Sequence, residues 1–383
     1  EADISNFEAV TIAQIVDTAS AATAQTVAMA NLDSINSVTL AGGASQTTNG
    51  TIAKILTTTF SGFTDGGTFG QTALLDTDTL VTLTGAFTGA SDSFTLNATG
   101  TNGYANAGAL SLAAIETLSI VTNDSDTTAA TTMFDLNLDA VNTTSITVTG
   151  DAGITFANSS YTALRTMDAS GVTATGAAGV VTFTAIAGAD TVIKGGAGND
   201  ALTGNTGADT ITGGAGANAL VGGGGADTIT GGGVIDTITG GTGADTMTGG
   251  AGNDIFVVAD GDSLTTGSDS ITDYTAGDVV RLQTGDSVAG VSATAGVVAT
   301  SNVQVAAGGK VTFAAADDTL AEQLVAIAAD VTDIGTNEVA FFEFGGDTYI
   351  FNNVGGADDL VKLVGVTGMT TISEAVAGDF TIA

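Results

Sequence analysis

The chain is 383 residues long and 43% apolar, enough for two or three domains with a buried core and too apolar for a disordered acidic tail. Its 41 acidic against six basic residues leave a formal net charge of −35, a surface that repels nucleic acid and anionic lipid and attracts cations. There is no His, Cys, Trp or Pro, which excludes zinc hydrolysis by a His-Glu-His helix, Ser-His-Asp chemistry and disulfides, so stability must come from packing or from bound metal.

No apolar run approaches the length of a membrane span, so no membrane span is expected, and the opening EADISNFEAV lacks the basic-then-apolar shape of a signal peptide. The chain starts at Glu1 rather than Met, which reads as a processed product or a fragment and leaves room for an upstream domain.

Residues 1–185 share a loose theme. NFEAVTIA, INSVTLAG, IETLSIVT and NTTSITVTG each present an apolar residue ahead of an alternating strand, and Val10 to Val38 and Leu118 to Ile146 are both steps of 28. Recurrence at that length, with Thr, Ala and Gly in the turns, predicts an irregular β-solenoid or stacked β units, with an ordinary β-sandwich as the competing arrangement. DTLVTLTGAFTGASDSFTLNATG, residues 78–100, reads as a hairpin inserted into it.

Residues 186–257 form a different region. From Gly195 to Val257 run seven uninterrupted nonapeptides, GGAGNDALT, GNTGADTIT, GGAGANALV, GGGGADTIT, GGGVIDTIT, GGTGADTMT and GGAGNDIFV, preceded by the degenerate copy AIAGADTVI. Their sixth positions are Asp190, Asp200, Asp209, Asn218, Asp227, Asp236, Asp245 and Asp254, and Lys194 is read as one extra residue after the degenerate copy. Their eighth positions are Val192, Leu202, Ile211, Leu220, Ile229, Ile238, Met247 and Phe256.

Three residues with one inward apolar side chain make a short strand, and six glycine-rich residues make the reversing turn, so two nonapeptides complete one flattened coil. Residues eighteen apart then stack roughly 4.8 Å apart. Leu202, Leu220, Ile238 and Phe256 would line one sheet and Ile211, Ile229 and Met247 the other, with Asp209 over Asp227, Asp227 over Asp245, and Asp236 over Asp254.

Two carboxylates about 5 Å apart repel by about 3 kcal/mol at an effective dielectric near 20, so a stack of them needs a counter-charge. Carboxylates with glycine-turn carbonyls offer a hard, all-oxygen cage that suits Ca²⁺ better than Mg²⁺ or zinc. The eight sixth-position residues are therefore the candidate metal ligands. Acidic turns such as Asn123 to Asp126, or Asp76 with Asp78, read as solvated loops, with further calcium as the alternative.

The nonapeptides resemble those of the RTX (repeats-in-toxin) proteins. That resemblance implies a parallel β-roll that folds on binding Ca²⁺ after export by a type I secretion system. Two copies depart from the pattern, with Asn218 in place of the acid and Val234 in place of the fourth glycine. Sites that pair Asn218 with Asp200 or Asp236 are expected to bind more weakly or to lean on carbonyls.

In residues 258–383, SITDY, DVVRL and KVTFAA read as short strands between acidic turns. DDTLAEQLVAIAAD has Asp317 and Asp318 as N-cap candidates ahead of Leu320, Leu324, Ile327 and Ala328 at helical spacing, and predicts a helix. EVAFFEFGGDTYIFNN alternates on both sides of Gly345, Gly346 and Asp347, marking a hairpin that with DDLVKLVGV would cap the roll and shield its last coil from edge pairing. The closing AGDFTIA is similar to the uncleaved export signals of RTX proteins; a last edge strand is the plainer alternative.

No G-x-S-x-G elbow or phosphate loop occurs, and GGK at Gly308 is followed by Val311, so no enzyme activity is expected. Thr/Ala/Gly-rich β segments leading into RTX repeats resemble the C-terminal part of bacterial S-layer proteins. That likeness implies a secreted, cell-surface structural protein, a homo-oligomer formed by calcium-dependent self-assembly, with cell-surface polysaccharide as a further partner. An RTX adhesin or filament subunit, and the folding module of a secreted hydrolase, are the alternatives.

Overall fold

The computed structural model describes strands 10–12, 15–17, 25–28, 37–40, 44–46, 56–63, 67–71 and 79–85, then residues 92–282 apart from 101–103, 113–114, 125–132, 157–158, 187, 260 and 263–266. Beyond these it describes 287–288, 303–305, 310–313, 320, 323, 338–353, 358–376 and 379–382. The chain divides into two compact units, residues 1–202 with 214–216, and residues 203–213 with 217–383.

In the first unit most strands fall into two parallel sheets, and Ile15–Asp17 and Ala44–Gln46 pair in a small parallel sheet of their own. One sheet takes Val10–Ile12, Ser37–Leu40, Gly67–Gln71, Ser93–Gly100, Thr117–Asp124, Ser145–Gly150, Thr166–Val172 and Val192–Lys194 in that order. The other takes Gln25–Ala28, Leu56–Phe63, Thr79–Gly85, Tyr104–Leu112, Met133–Asp139, Gly153–Phe156 and Val181–Thr184. This is a β-solenoid, not a sandwich of antiparallel strands.

The two predicted 28-residue steps are ladder pairs: Val10 lies beside Val38, and Leu118 beside Ile146. Alternation then sorts the side chains. Leu118, Ile120, Ile146, Val148 and Met167 are buried from one sheet, and Leu136, Leu138, Ile154 and Phe183 from the other, while the Thr and Ser between them face outward.

The hairpin expected over 78–100 does not form. Thr79–Gly85 pairs in parallel with Leu56–Phe63 and Tyr104–Leu112, whereas Ser93–Gly100 belongs to the opposite sheet, beside Gly67–Gln71 and Thr117–Asp124. Each finds a parallel neighbour on both sides, and that pairing outweighs a local turn.

In the second unit the strands again fall into two sheets. One sheet runs Thr210–Gly214, Thr228–Gly232, Thr246–Gly250, Asp269–Ile271, Asp359–Leu363, Asp347–Asn353, Glu338–Phe344 and Ser287–Val288, and the other Ala219–Gly224, Thr237–Thr242, Ile255–Val257, Val279–Arg281, Asp379–Ile382 and Ile372–Val376. Leu220, Ile238 and Phe256 pair in register, as do Ile229 and Met247, and all are 1% exposed or less. The stacking read from the eighteen-residue spacing is the observed one.

Strands here are longer than the three residues expected: Ala219–Gly224 and Thr237–Thr242 each run for six, on into the glycines. A residue with no Cβ can stay in the ladder while its backbone bends, so the turn starts later.

A cap closes this unit. Asp359–Leu363 pairs in parallel with Asp269–Ile271 and antiparallel with Asp347–Asn353, which forms the predicted hairpin with Glu338–Phe344 through Gly345 and Gly346, both at positive φ (66° and 95°). The C-terminal strand Asp379–Ile382 lies antiparallel between Val279–Arg281 and Ile372–Val376. Arg281 grips the Asp379 carboxylate with both Nε and Nη2, and Phe380 is fully buried. Of the predicted helix, Leu320 and Gln323 are helical and the remainder lies outside the described residues. No helix among the described residues is long and apolar enough to cross a membrane.

Candidate metal centre

The repeat places an Asp two residues before each inward apolar side chain, so the carboxylate also turns inward, at the mouth of the glycine turn. Asp200, Asp209, Asp227, Asp236, Asp245 and Asp254 are each 1% exposed or less, and Asn218 is 3% exposed. A buried carboxylate must be compensated, and here the main chain supplies half of the compensation.

That half is a ladder of hydrogen bonds. The backbone amide of Asp209 donates to Oδ1 of Asp227, that of Asn218 to Asp236, that of Asp227 to Asp245 (each 2.7 Å), and that of Asp236 to Asp254 at 2.8 Å. Each acid thus holds the preceding coil through one oxygen. The ladder takes Oδ1 and leaves the other oxygen for an ion.

The second oxygens of Asp227, Asp236 and Asp245 are buried and accept no hydrogen bond. Each points into the space left by the first glycine of its own repeat. A Cβ at Gly222 would fall 2.3 Å from Asp227 Oδ2 and 2.4 Å from the Gly240 carbonyl oxygen; at Gly231 the corresponding neighbours are Asp236 Oδ2 at 2.4 Å and the Gly249 carbonyl at 2.5 Å. An orphaned anionic oxygen and a main-chain carbonyl therefore converge at Gly222 and at Gly231, a donor set that suits a hard divalent cation. Among the described residues no three carboxylates meet at one point, so carbonyls must complete any such shell.

Burial pushes the Asp200, Asp227 and Asp236 carboxyls up to about 6, and raises those of Asp245 and Asp254. For Asp227 the neighbouring charges of Asp245 and Asp209 push the same way but less strongly. Desolvation, more than repulsion between rungs, is what an ion would have to offset.

Asp190 stands outside the ladder. It is exposed, and Thr191 occupies the buried position at 3% exposure. The expected phase of the degenerate copy was one residue early: Ile193, nine residues before Leu202, is the fully buried side chain, and Val192 is 37% exposed. Counted from Ile193, Lys194 is no insertion, and a hydroxyl holds the acid's place. Asn218 keeps its place in the ladder, with its side-chain Nδ2 over Gly213. Val234 sits in an exposed turn with Ile235, where a side chain costs no packing.

The ladder also outruns the nonapeptides. The amides of Asp245 and Asp254 donate to Oδ1 of Asp269 and Asp278, both at 2.9 Å and both acceptors buried. Asp273 receives the amides of Gly249 and Gly250 at 2.9 and 2.8 Å. A strict nine-residue window hides these residues, because the step here is 24; the surviving signal is an acid two residues before an apolar residue, in Asp269-Ser270-Ile271 and Asp278-Val279-Val280. Of the other acidic turns considered, Asp124 donates its amide to Asp151 Oδ1 at 2.7 Å, while Asp76, Asp78 and Asp126 lie outside the described residues.

A family model described as the RTX calcium-binding nonapeptide repeat (4 copies) matches residues 194–229 and 230–264. Those residues contain the glycine cradles and the acids from Asp200 to Asp254, so calcium is the ion that repeats of this kind bind. No curated protein matches the chain.

Proposed function

We propose that this chain is a calcium-folded structural protein that acts outside the cell, assembling with copies of itself into a surface layer of the S-layer type. The observation that carries it is the row of buried, half-satisfied carboxylates at Asp227, Asp236 and Asp245, each opposite a glycine cradle. In low calcium these groups oppose closure of the roll and favour an exportable chain. At the millimolar calcium of an external medium, binding to the folded form alone drives folding by mass action.

Several features support a scaffold rather than a catalyst. The described core is a wound stack of short strands with Thr and Ser outward, as at Thr228, Thr246 and Ser270, which lie side by side in one ladder. The sequence offers no His or Cys for nucleophilic or general-base work, and the net charge of −35 leaves acidic faces that divalent cations can bridge between copies. On this proposal the C-terminal strand Asp379–Ile382 carries the export signal before folding and becomes part of the sheet afterwards.

The test is a calcium titration of the purified chain followed by circular dichroism and light scattering, with reversal by EGTA and imaging of the loaded state. Calcium-induced β structure followed by ordered two-dimensional sheets supports the assembly. One-dimensional fibres favour a filament or adhesin subunit, and persistent monomers favour the folding module of a larger secreted protein.

A further inference from the structure

The rungs of the ladder differ in how their second oxygen is treated. In Asp200 both oxygens are taken by the protein, Oδ1 by the Val181 amide and Oδ2 by the Gly196 amide, each at 2.7 Å. Asp209 Oδ2 accepts the Asn205 amide at 2.8 Å, and Asn205 Nδ2 reaches Oδ1 at 3.4 Å. In both, the donor is the residue four before the acid, the second position of the nonapeptide. At Asp227, Asp236 and Asp245 that position holds Gly223, Gly232 and Gly241, and the second oxygen has no donor.

The backbone explains the difference. Gly223, Gly232 and Gly241 take positive φ (116°, 148° and 97°), whereas Gly196 does not. Positive φ carries these glycines into the sheet, where Gly223 pairs with Gly241 and Gly232 with Gly250, and turns their amides away from the carboxylate. Around Asp200 and Asp209 the preceding strands, Val192–Lys194 and Ala201–Thr203, stop before the glycines, so the amide at the second position remains free to close the turn. Asn205 reinforces this by accepting the Gly207 amide on its own Oδ1 at 2.8 Å.

We infer that the turns of Asp227, Asp236 and Asp245 take calcium while those of Asp200 and Asp209 are closed by the protein itself, and that the backbone of the residue four before the acid decides which. It rests on calcium being the ion of this roll. The self-closed turns hold without metal, and calcium completes the others.

The experiment is calcium stoichiometry and affinity on the full chain by titration calorimetry, comparing Asp209→Asn, Asp227→Asn and Asn205→Gly. Asp227→Asn is expected to lower the calcium bound and to weaken the remaining uptake by about tenfold. Asp209→Asn should leave both unchanged, and Asn205→Gly should raise the calcium bound by freeing Asp209 Oδ2. Equal losses in Asp209→Asn and Asp227→Asn overturn the inference while leaving calcium as the ion. If Asp227→Asn does not fold, an unchanged stoichiometry in Asn205→Gly overturns it alone. A wild-type chain that takes up no calcium removes the premise itself.

Discussion

The backbone amide of Asp227 donates to Oδ1 of Asp245, eighteen residues further on, at 2.7 Å, while the other oxygen of Asp245 is buried with no donor. One carboxylate thus does two jobs, fastening the coil before it and offering a charge to an ion.

Removing such a group should damage both. Asp227→Ala strands the buried Asp209 amide and deletes the oxygen over Gly222, so a loss of about 1–3 kcal/mol is expected from the orphaned donor alone, with weaker calcium binding beside it. Urea unfolding at saturating calcium and a calcium titration read the two effects, and an unchanged titration midpoint contradicts the assignment.

The cradle can be filled instead. Gly231→Ala puts a methyl against Asp236 Oδ2 and the Gly249 carbonyl, whereas Gly233, two residues on, has open space around its Cα. Gly231→Ala is expected to cost about 1–3 kcal/mol and to depress calcium uptake, with Gly233→Ala near neutral. Thermal melts of the pair, with and without calcium, decide this; equal behaviour would mean that no ion or carboxylate occupies the space.

Acidity should act in opposite senses on the two states. In the metal-free fold, burial raises Asp227 and Asp236 from 3.8 to about 6, so the protonated form favours folding. That contribution is complete below the unfolded value and disappears as pH rises through about 6, so the EGTA-treated chain should melt higher near pH 4.5 than near pH 7.5. Calcium needs the ionised carboxylate, so its titration midpoint should move to higher concentration on acidification. Metal-free melting that is level between those two pH values contradicts the buried ladder.

The cap should be cooperative with the roll. Phe380 is fully buried on the C-terminal strand, and the Ile382 amide donates to Tyr274 Oη, which donates to the Asp278 carbonyl. Asp278 in turn accepts the Asp254 amide. Phe380→Ala is expected to cost about 3–5 kcal/mol and to speed hydrogen exchange at the amides of Asp236 and Asp254 as well as at the strand itself. Faster exchange confined to residues 372–382 would show that the cap frays on its own.

How much of this was legible beforehand differs from place to place. The pairing of Val10 with Val38 and of Leu220 with Ile238 followed from spacing, because in a wound chain the repeat length is the register. The degenerate copy was misplaced by one residue because Val192 and Ile193 are chemically alike, and only packing shows which is buried. Asp269 and Asp278 were missed because the turns before them lengthen, and the stretch 78–100 was misread because its strands find partners far along the chain.

By itself the sequence determined the period, the inward apolar residue, the acid at each turn and the kind of ion such oxygens suit. These are properties of residues in fixed local order, and side-chain chemistry does not change with the path of the chain. The tertiary structure alone decided which oxygen of each Asp is left over, since its donors lie either one coil away or four residues before it, on a backbone whose φ depends on how far the ladder runs. A carboxylate's vacancy belongs to the coil stacked against it, and no reading of one repeat contains that neighbour.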